Sequence, residues 1–343
     1  MKLRLVILVL LSFVTATVSG SVMDTSSSPH TRVRTVGLDD VRWTDGFWAE
    51  KFERVRTRAL PTIRKALNDP ENGAQFHNLL VAAGLKEGSH RKNNWSDGDC
   101  YKYLEAMAAV YAVTGDEGLD RRLDRWISVI AKAQCEDGYI SSNIGCNPEN
   151  RWPKPGGHEL YNMGHLLTAA CVHHRATGKD NFLRIARKLG DYLHERFVPT
   201  PERLMHFPRN PSVYMGLVEL YRITGRRRYL ETANVMIGNR GKAPGGTDLS
   251  QGHVPLREES EAVGHGVFAT YLYSGAADVY SEMNDDSLLR ALKRIWTDVT
   301  TQNMFITGGI GALRKGKSFR GDDVHEAFLE DYTLPERETY SET

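Results

Sequence analysis

The chain has 343 residues, 25% of them charged and 41% hydrophobic, an ordinary globular composition. Its 44 lysines and arginines nearly balance 43 aspartates and glutamates, for a net charge of +1. No phosphate-tracking surface follows from that balance, so no nucleic-acid partner is expected. The length suits one large domain or two modest ones.

Lys2 and Arg4 precede an apolar run from Leu5 to Val14, followed by the small and β-branched stretch Thr15 to Gly20. That pattern reads as a secretory signal peptide over residues 1–20, too short and wrongly flanked for a stable membrane span. Residues 21–34, with Asp24-Thr25-Ser26-Ser27-Ser28-Pro29, read as a flexible lead-in. The mature protein is expected to be secreted or periplasmic, off the membrane once the leader is cleaved. Cysteines stand at 100, 135, 146 and 171, none in a C-x-x-C pair, so a zinc cluster made within this chain is not supported. Cys135 and Cys146 bracket a turn-rich loop; a disulfide between them and four buried thiols are both open readings. Asn94-Trp95-Ser96 is a glycosylation sequon, meaningful only in a eukaryotic secretory pathway.

From residue 35 onward the dominant signal is helical. Thr35 to Trp43 is the only plausible strand near the start, and glycine-rich Thr307 to Gly311 reads as loop. Tyr101, Leu104, Ala108 and Tyr111 recur at helical spacing, as do Leu119, Leu123, Trp126 and Ile130, then Phe182, Ile185, Leu189 and Tyr192, and Leu288, Leu292, Ile295 and Val299. Amphipathic stretches end at Thr114-Gly115-Asp116, Thr177-Gly178-Lys179 and Thr224-Gly225-Arg226, and a fourth at Asn284-Asp285-Asp286. Glycine just past a helix end turns the chain into an antiparallel neighbour. These turns lie much further apart than the ~33–34 residues of tetratricopeptide or ankyrin repeats, the surplus being long loops rich in Gly, Pro, His and aromatics. Long loops on one face of a helical scaffold are where a site is usually built. About five and a half hairpins between Trp48 and Thr301 predict an all-α class and an (α/α)6 toroid, a six-hairpin barrel with its last part missing.

Three segments concentrate polar and aromatic groups. Asp97 or Asp99, at the opening of the helix near Cys100, is placed to cap that helix. His158 and His165 fall seven residues apart on one helix face, separated by roughly 10 Å, too far for one metal ion but suited to sugar hydroxyls. His165 and His173 read as core histidines; His158 follows Gly156-Gly157 at a loop–helix junction. The third segment runs from His253 through Arg257 and Glu258 to Glu261 and His265. Further on, Glu326 sits beside Phe328, where desolvation raises a carboxyl toward a general acid's pKa.

The segments Thr44-Asp45-Gly46-Phe47-Trp48, Asp97-Gly98-Asp99-Cys100-Tyr101-Lys102-Tyr103-Leu104-Glu105, Asp137-Gly138-Tyr139 and His158-Glu159-Leu160-Tyr161-Asn162-Met163-Gly164-His165 follow one another in the order of a known pattern. Val254-Pro255-Leu256-Arg257-Glu258, Ala262-Val263-Gly264-His265, Thr307-Gly308-Gly309-Ile310-Gly311, Glu326-Ala327-Phe328, Asp331-Tyr332-Thr333-Leu334-Pro335 and Glu342-Thr343 continue it. In these segments the chain resembles glycoside hydrolase family 127, the β-L-arabinofuranosidase family, over essentially the whole mature sequence. The resemblance implies a retaining glycosidase with an (α/α)6 barrel spanning 35–343 here and β-sandwich domains beyond this chain. It implies Glu326 as general acid/base, His158 and His265 as sugar contacts, and Glu342 as a zinc ligand. The family's nucleophile is a zinc-held cysteine thiolate, kept deprotonated by the metal; here it would lie past Thr343 with the remaining zinc ligands, and none of the four cysteines present matches it. Pro208-Arg209-Asn210 departs from the Pro-Gly-His common in the family, whose histidine touches sugar, and extra residues separate Gly311 from Glu326.

The leading expectation is therefore a secreted hydrolase releasing L-arabinofuranose or a related pentose from plant-type glycans, inactive as the literal chain of 343 residues because retaining chemistry needs both groups. A second hypothesis is another toroid carbohydrate enzyme, a lyase or epimerase, using His158, Tyr161 or His265 for proton transfer and Arg257 for a uronate. A third is a non-catalytic glycan-binding fragment. A hydrolase pairing Glu326 with Glu258 or Glu261 would need those carboxyls roughly 5–9.5 Å apart.

Overall fold

A computed structural model describes residues 21–154, 156–304 and 307–310. Helix α1 (Gly46–Arg54) runs through a π-turn (Val55–Ala59) into α2 (Leu60–Asn68), followed by α3 (Gln75–Ala82), α4 (Ser96–Thr114) and α5 (Glu117–Ala133). Then come α6 (Glu159–Thr177), α7 (Asn181–Phe197), α8 (Val213–Thr224), α9 (Arg227–Asn239), α10 (Gly266–Met283) and α11 (Asp286–Asp298). The expected all-α toroid is borne out, and no strand occurs among the described residues. Residues 35–43, read as a strand, form none. The Asp40 carboxylate accepts from Gly37 N at 2.9 Å and closes a turn instead.

The hairpin turns share one chemistry. Thr114, Thr177 and Thr224 donate their hydroxyls back to the carbonyls of Val110, His173 and Leu220 at 2.8, 2.7 and 2.6 Å. Gly115, Gly178 and Gly225 follow at left-handed φ of 65°, 70° and 66°, and the next backbone N–H, of Asp116, Lys179 or Arg226, returns to the threonine oxygen. Asn284 takes the same place at φ 57°, since asparagine tolerates that region better than most side chains. Asp285 then caps α11, accepting from Ser287 N at 2.9 Å and Leu288 N at 3.2 Å.

Successive even helices α4, α6, α8 and α10 pack on one another, with α3, α5, α7 and α9 in a second row outside them. The residue patterns explain the division. Helix α5 buries one stripe (Leu119, Leu123, Trp126, Ile127, Ile130), whereas α6 buries residues all round its circumference, including Leu160, Met163, Leu166, Ala169 and Val172. Close approach of α6 and α8 requires glycine: a Cβ on Gly164 would stand 2.5 Å from Val213 N, and one on Gly216 2.7 Å from Gly164 O.

The tight turns lie at the C-terminal ends of the even helices. A buried ionic cluster spans that end: Arg175 pairs with Glu219, and Arg222 binds Glu219 (2.5 Å), Asp278 (2.9 Å) and Glu282 (2.7 Å). The lead-in has no helix or strand, yet it is held there. Ser28 Oγ donates to Glu282 at 2.5 Å, His30 N to Ser281 O at 3.2 Å, and Arg175 to Val22 O at 3.1 Å. The long connections, residues 83–95, 134–158, 198–212 and 240–265, gather at the opposite end, around the N-termini of the even helices. No helix among the described residues is long and apolar enough to cross a membrane.

Candidate active site

His158 occupies the N-cap position of α6, and Tyr161 and His165 follow at helical spacing on the same face. The rings form a chain: Trp95 to His158 at 5.1 Å between centroids, His158 to Tyr161 at 5.6 Å, Tyr161 to His165 at 4.6 Å, and His165 to Tyr271 at 5.7 Å. The last contact reaches from α6 past α8 to α10, with Tyr271 Oη 3.4 Å from His165 Nε2, so these side chains line the interior. Lys102 of α4 donates to Tyr161 Oη at 2.6 Å and lies 3.4 Å from Asp99. Asn162 fixes the helix starts to one another, accepting from Gly98 N and donating to Asn94 O, both at 2.8 Å, while Ser212 Oγ donates to Tyr161 O at 3.0 Å. A cavity of about 140 Å³ bounded by Gln75, Trp95 and Asp99 adjoins this face.

The electrostatics favour a neutral hydrogen-bonding surface. Burial, with Lys102 adding to it, pushes His165 down to about 3, and burial together with the Arg209 guanidinium lowers His158. Both imidazoles are uncharged near neutral pH and offer one donor and one acceptor each. Glu105, one turn along α4 from Lys102, is pushed up to about 7 by burial, against the pull of Lys102. Lys102 and Glu105 stand in a segment that carries the family resemblance but receive no role from it, and Tyr271 lies outside those segments. Their signal was a lysine and a glutamate in the largely apolar part of α4 beyond Asp99, and a tyrosine about one and a half turns beyond His265.

Other expectations land elsewhere. Asp97 does not cap its own helix; it is buried and accepts from Ser142 N at 2.8 Å and from Ser142 Oγ. Arg257, the candidate uronate ligand, is held by Asp285 at 2.6 Å and pins its loop to α11. His265 is the N-cap residue of α10, its ring stacked 4.2 Å from Phe268. Its backbone is set by loop 248–264: His265 N donates to Leu249 O at 3.0 Å, and the buried Gln251 amide donates to Val263 O at 2.8 Å. Glu258 and Glu261 are exposed, whereas Glu259 is buried 3.3 Å from His253. His165 and His173 are both buried. Neither His173 nitrogen has a hydrogen-bond partner, so that core histidine is packed but not satisfied.

Glu326 and Glu342 lie outside the described residues. Among the described residues, no group of three or more His, Cys, Asp or Glu side chains is arranged to hold a metal ion. Cys135 and Cys146 are joined in a disulfide. Cys100 and Cys171 are buried thiols whose pKa burial raises, which disfavours the thiolate that zinc requires. The described residues therefore do not themselves fit a zinc site.

A family model described as the β-L-arabinofuranosidase glycoside hydrolase family 127 catalytic domain matches residues 40–343. The chain belongs to this family. It is 30% identical over 347 aligned positions to the non-reducing end β-L-arabinofuranosidase of Bifidobacterium longum subsp. longum, covering 89% of this chain and 51% of that protein. It superposes on the crystal structure of the family 127 β-L-arabinofuranosidase from Geobacillus stearothermophilus T6 with a TM-score of 0.81 and 32% identity, over 88% of this chain and 50% of that one. A solved structure named as a family 127 β-arabinofuranosidase gives a TM-score of 0.78 at 32% identity, over 89% and 48% of the two chains. The chain thus spans about half the length of these family 127 relatives.

Proposed function

We propose that this protein is a glycoside hydrolase that releases L-arabinofuranose, or a related pentose, from glycans of plant type. The observation that carries the reading is the convergence of His158, Tyr161, His165, Lys102 and Tyr271 at the mouth of a family 127 barrel. Two neutral imidazoles and two phenols flanked by Trp95 suit a polyol whose hydroxyls need both donors and acceptors and whose ring faces stack on aromatics. The same proposal assigns His158 and His265 to sugar binding, Glu326 to protonation of the leaving oxygen and deprotonation of the attacking water, and Glu342 to zinc, with the cysteine nucleophile and remaining ligands past Thr343. Bound zinc would keep that thiol ionised. Export from the cytoplasm belongs to it too, supported by the leader pattern and by the Cys135–Cys146 disulfide, a bond that persists in oxidising compartments.

The test is hydrolysis of an aryl β-L-arabinofuranoside by the protein expressed from its full reading frame, with and without a zinc chelator, beside Glu326→Gln. Chelator-sensitive release, reduced ~10²–10⁴-fold in the variant, is the expected outcome. A folded, zinc-loaded protein that releases no arabinose would overturn the assignment.

A further inference from the structure

The loop that delivers His265 is closed by one side chain. Gln251 is 1% exposed, and its backbone is left-handed, at φ 49° and ψ 42°. Glycine or asparagine enters that region at lower cost than glutamine. A residue in such a conformation persists where the structure around it needs its side chain. The bonds show the need. Gln251 Nε2 donates to Val263 O at 2.8 Å, and Leu249 O at 3.3 Å and His265 O at 3.4 Å are also within its reach. Leu249 O in turn accepts from His265 N at 3.0 Å. One amide thus meets the carbonyls on both sides of Gly264 and the carbonyl that holds His265 N.

The surroundings fix that amide in place. Gly264 stands at φ 83°, and a Cβ built there would lie 2.1 Å from Asp248 O and 2.5 Å from Gln251 Nε2. Gln251 N donates to Asp248 O and Gly252 N to Thr247 O, both at 2.9 Å, which closes the turn carrying the side chain. The buried Arg240 guanidinium donates to Ser250 O and, at 2.6 Å, to Pro208 O, and so holds the turn from its other side. Gln251 Oε1 is buried without a hydrogen-bond partner, so the group contributes through its N–H donors.

We propose that Gln251 is a positioning residue for His265: its amide fixes the backbone at 263–265, so that the imidazole is held against Phe268 in the place where it meets a sugar hydroxyl. The inference rests on the arabinofuranosidase reading, in which His265 contacts sugar, and extends it to a residue that acts through His265. Hydrogen bonds weaken steeply when donor and acceptor are displaced or misaligned, so a backbone shift at His265 is read as lost substrate affinity.

The experiment compares Gln251→Gly and Gln251→Glu in the protein expressed from its full reading frame. The first relieves the left-handed backbone and deletes the amide. The second keeps the size but replaces the donors with a group that repels the same carbonyls. Both are expected to raise KM for an aryl β-L-arabinofuranoside about tenfold with kcat within about twofold, the mark of lost substrate binding. In a His265→Ala background the same substitutions are expected to add no further loss, because their effect passes through the missing imidazole. A lowered kcat at unchanged KM, or losses that add to that of His265→Ala, would mean that Gln251 only supports folding, and overturns the inference. A second measurement needs no substrate. The isotope-labelled Cε1 signal of His265 in NMR, assigned by its loss in His265→Ala, is expected to move in both Gln251 variants while that of His173 stays in place. An unmoved signal overturns the inference. A parent protein that releases no arabinose removes the arabinofuranosidase reading, and the His265 signal then decides by itself whether Gln251 positions that ring.

Discussion

Asp97, at the start of α4, accepts both the backbone N–H and the hydroxyl of Ser142, 45 residues further along the chain. The carboxylate is buried, so the loop between α5 and α6 is tied to the helix start that carries Asp99 and Lys102. Removing the acceptor leaves two donors of the half-buried Ser142 without their partner. Asp97→Ala is expected to lower unfolding stability by about 2–3 kcal/mol, whereas Asp97→Asn, which keeps one acceptor, loses less. Urea titration of the two variants checks the order; equal midpoints for all three proteins would contradict it.

Glu105 supplies a pH-dependent term. Its carboxyl titrates near 7 in the folded chain, raised by burial from an ordinary value of 4.5. The folded state therefore holds the proton more tightly than the unfolded state. The associated stability is fully present below about pH 4.5 and is lost as pH rises through about 7. Glu105→Gln removes the ionisation, so the variant is expected to gain on its parent by about 1–3 kcal/mol between pH 4.5 and pH 8, allowing for the side chain's partial exposure. Thermal unfolding at the two pH values measures that difference. A constant offset would show that Glu105 keeps an ordinary pKa.

Arg222 joins three carboxylates at the closed end: Glu219, Asp278 and Glu282. Its own side chain is 2% exposed. Truncation to alanine strands those carboxylates in a poorly solvated place, a loss of about 3–5 kcal/mol. Arg222→Ala is expected to unfold at the lowest temperature of these variants, with the lead-in at Ser28 released early because Ser28 shares Glu282 with Arg222. Hydrogen exchange at residues 22–30 reads that release directly.

Local signals were legible in the sequence and long-range ones were not. The Thr-Gly-X turns could be read because a left-handed cap and a threonine back-bond involve residues only a few positions apart. His158 could be read because two glycines mark a loop–helix junction. Asp97 was misread as a cap because its partner lies in a distant loop, and Arg257 as a free cation because Asp285 meets it only once α10 and α11 have formed their hairpin. Lys102, Glu105 and Tyr271 acquire their meaning from which helices face the interior, a consequence of ring closure that no single helix's periodicity encodes.

His173 is fully buried on α6, its ring 6.0 Å from Phe182, with neither nitrogen hydrogen-bonded. Burial, outweighing the attraction of Asp124, depresses its pKa to about 4, against an ordinary 6.5 in the unfolded chain. Here the unfolded state binds the extra proton, so stability is complete above pH 6.5 and falls as pH drops through about 4. His165, pushed down to about 3, acts in the same direction. His173→Leu is close in volume and leaves no stranded nitrogen. It is expected to match or exceed the parent's stability at pH 7 and to exceed it by about 2–3 kcal/mol at pH 4. Calorimetric unfolding across that range decides the matter. A variant that loses stability equally at both pH values would mean that the His173 ring nitrogens are satisfied after all and that the acid sensitivity originates elsewhere, with His165 the next residue to replace.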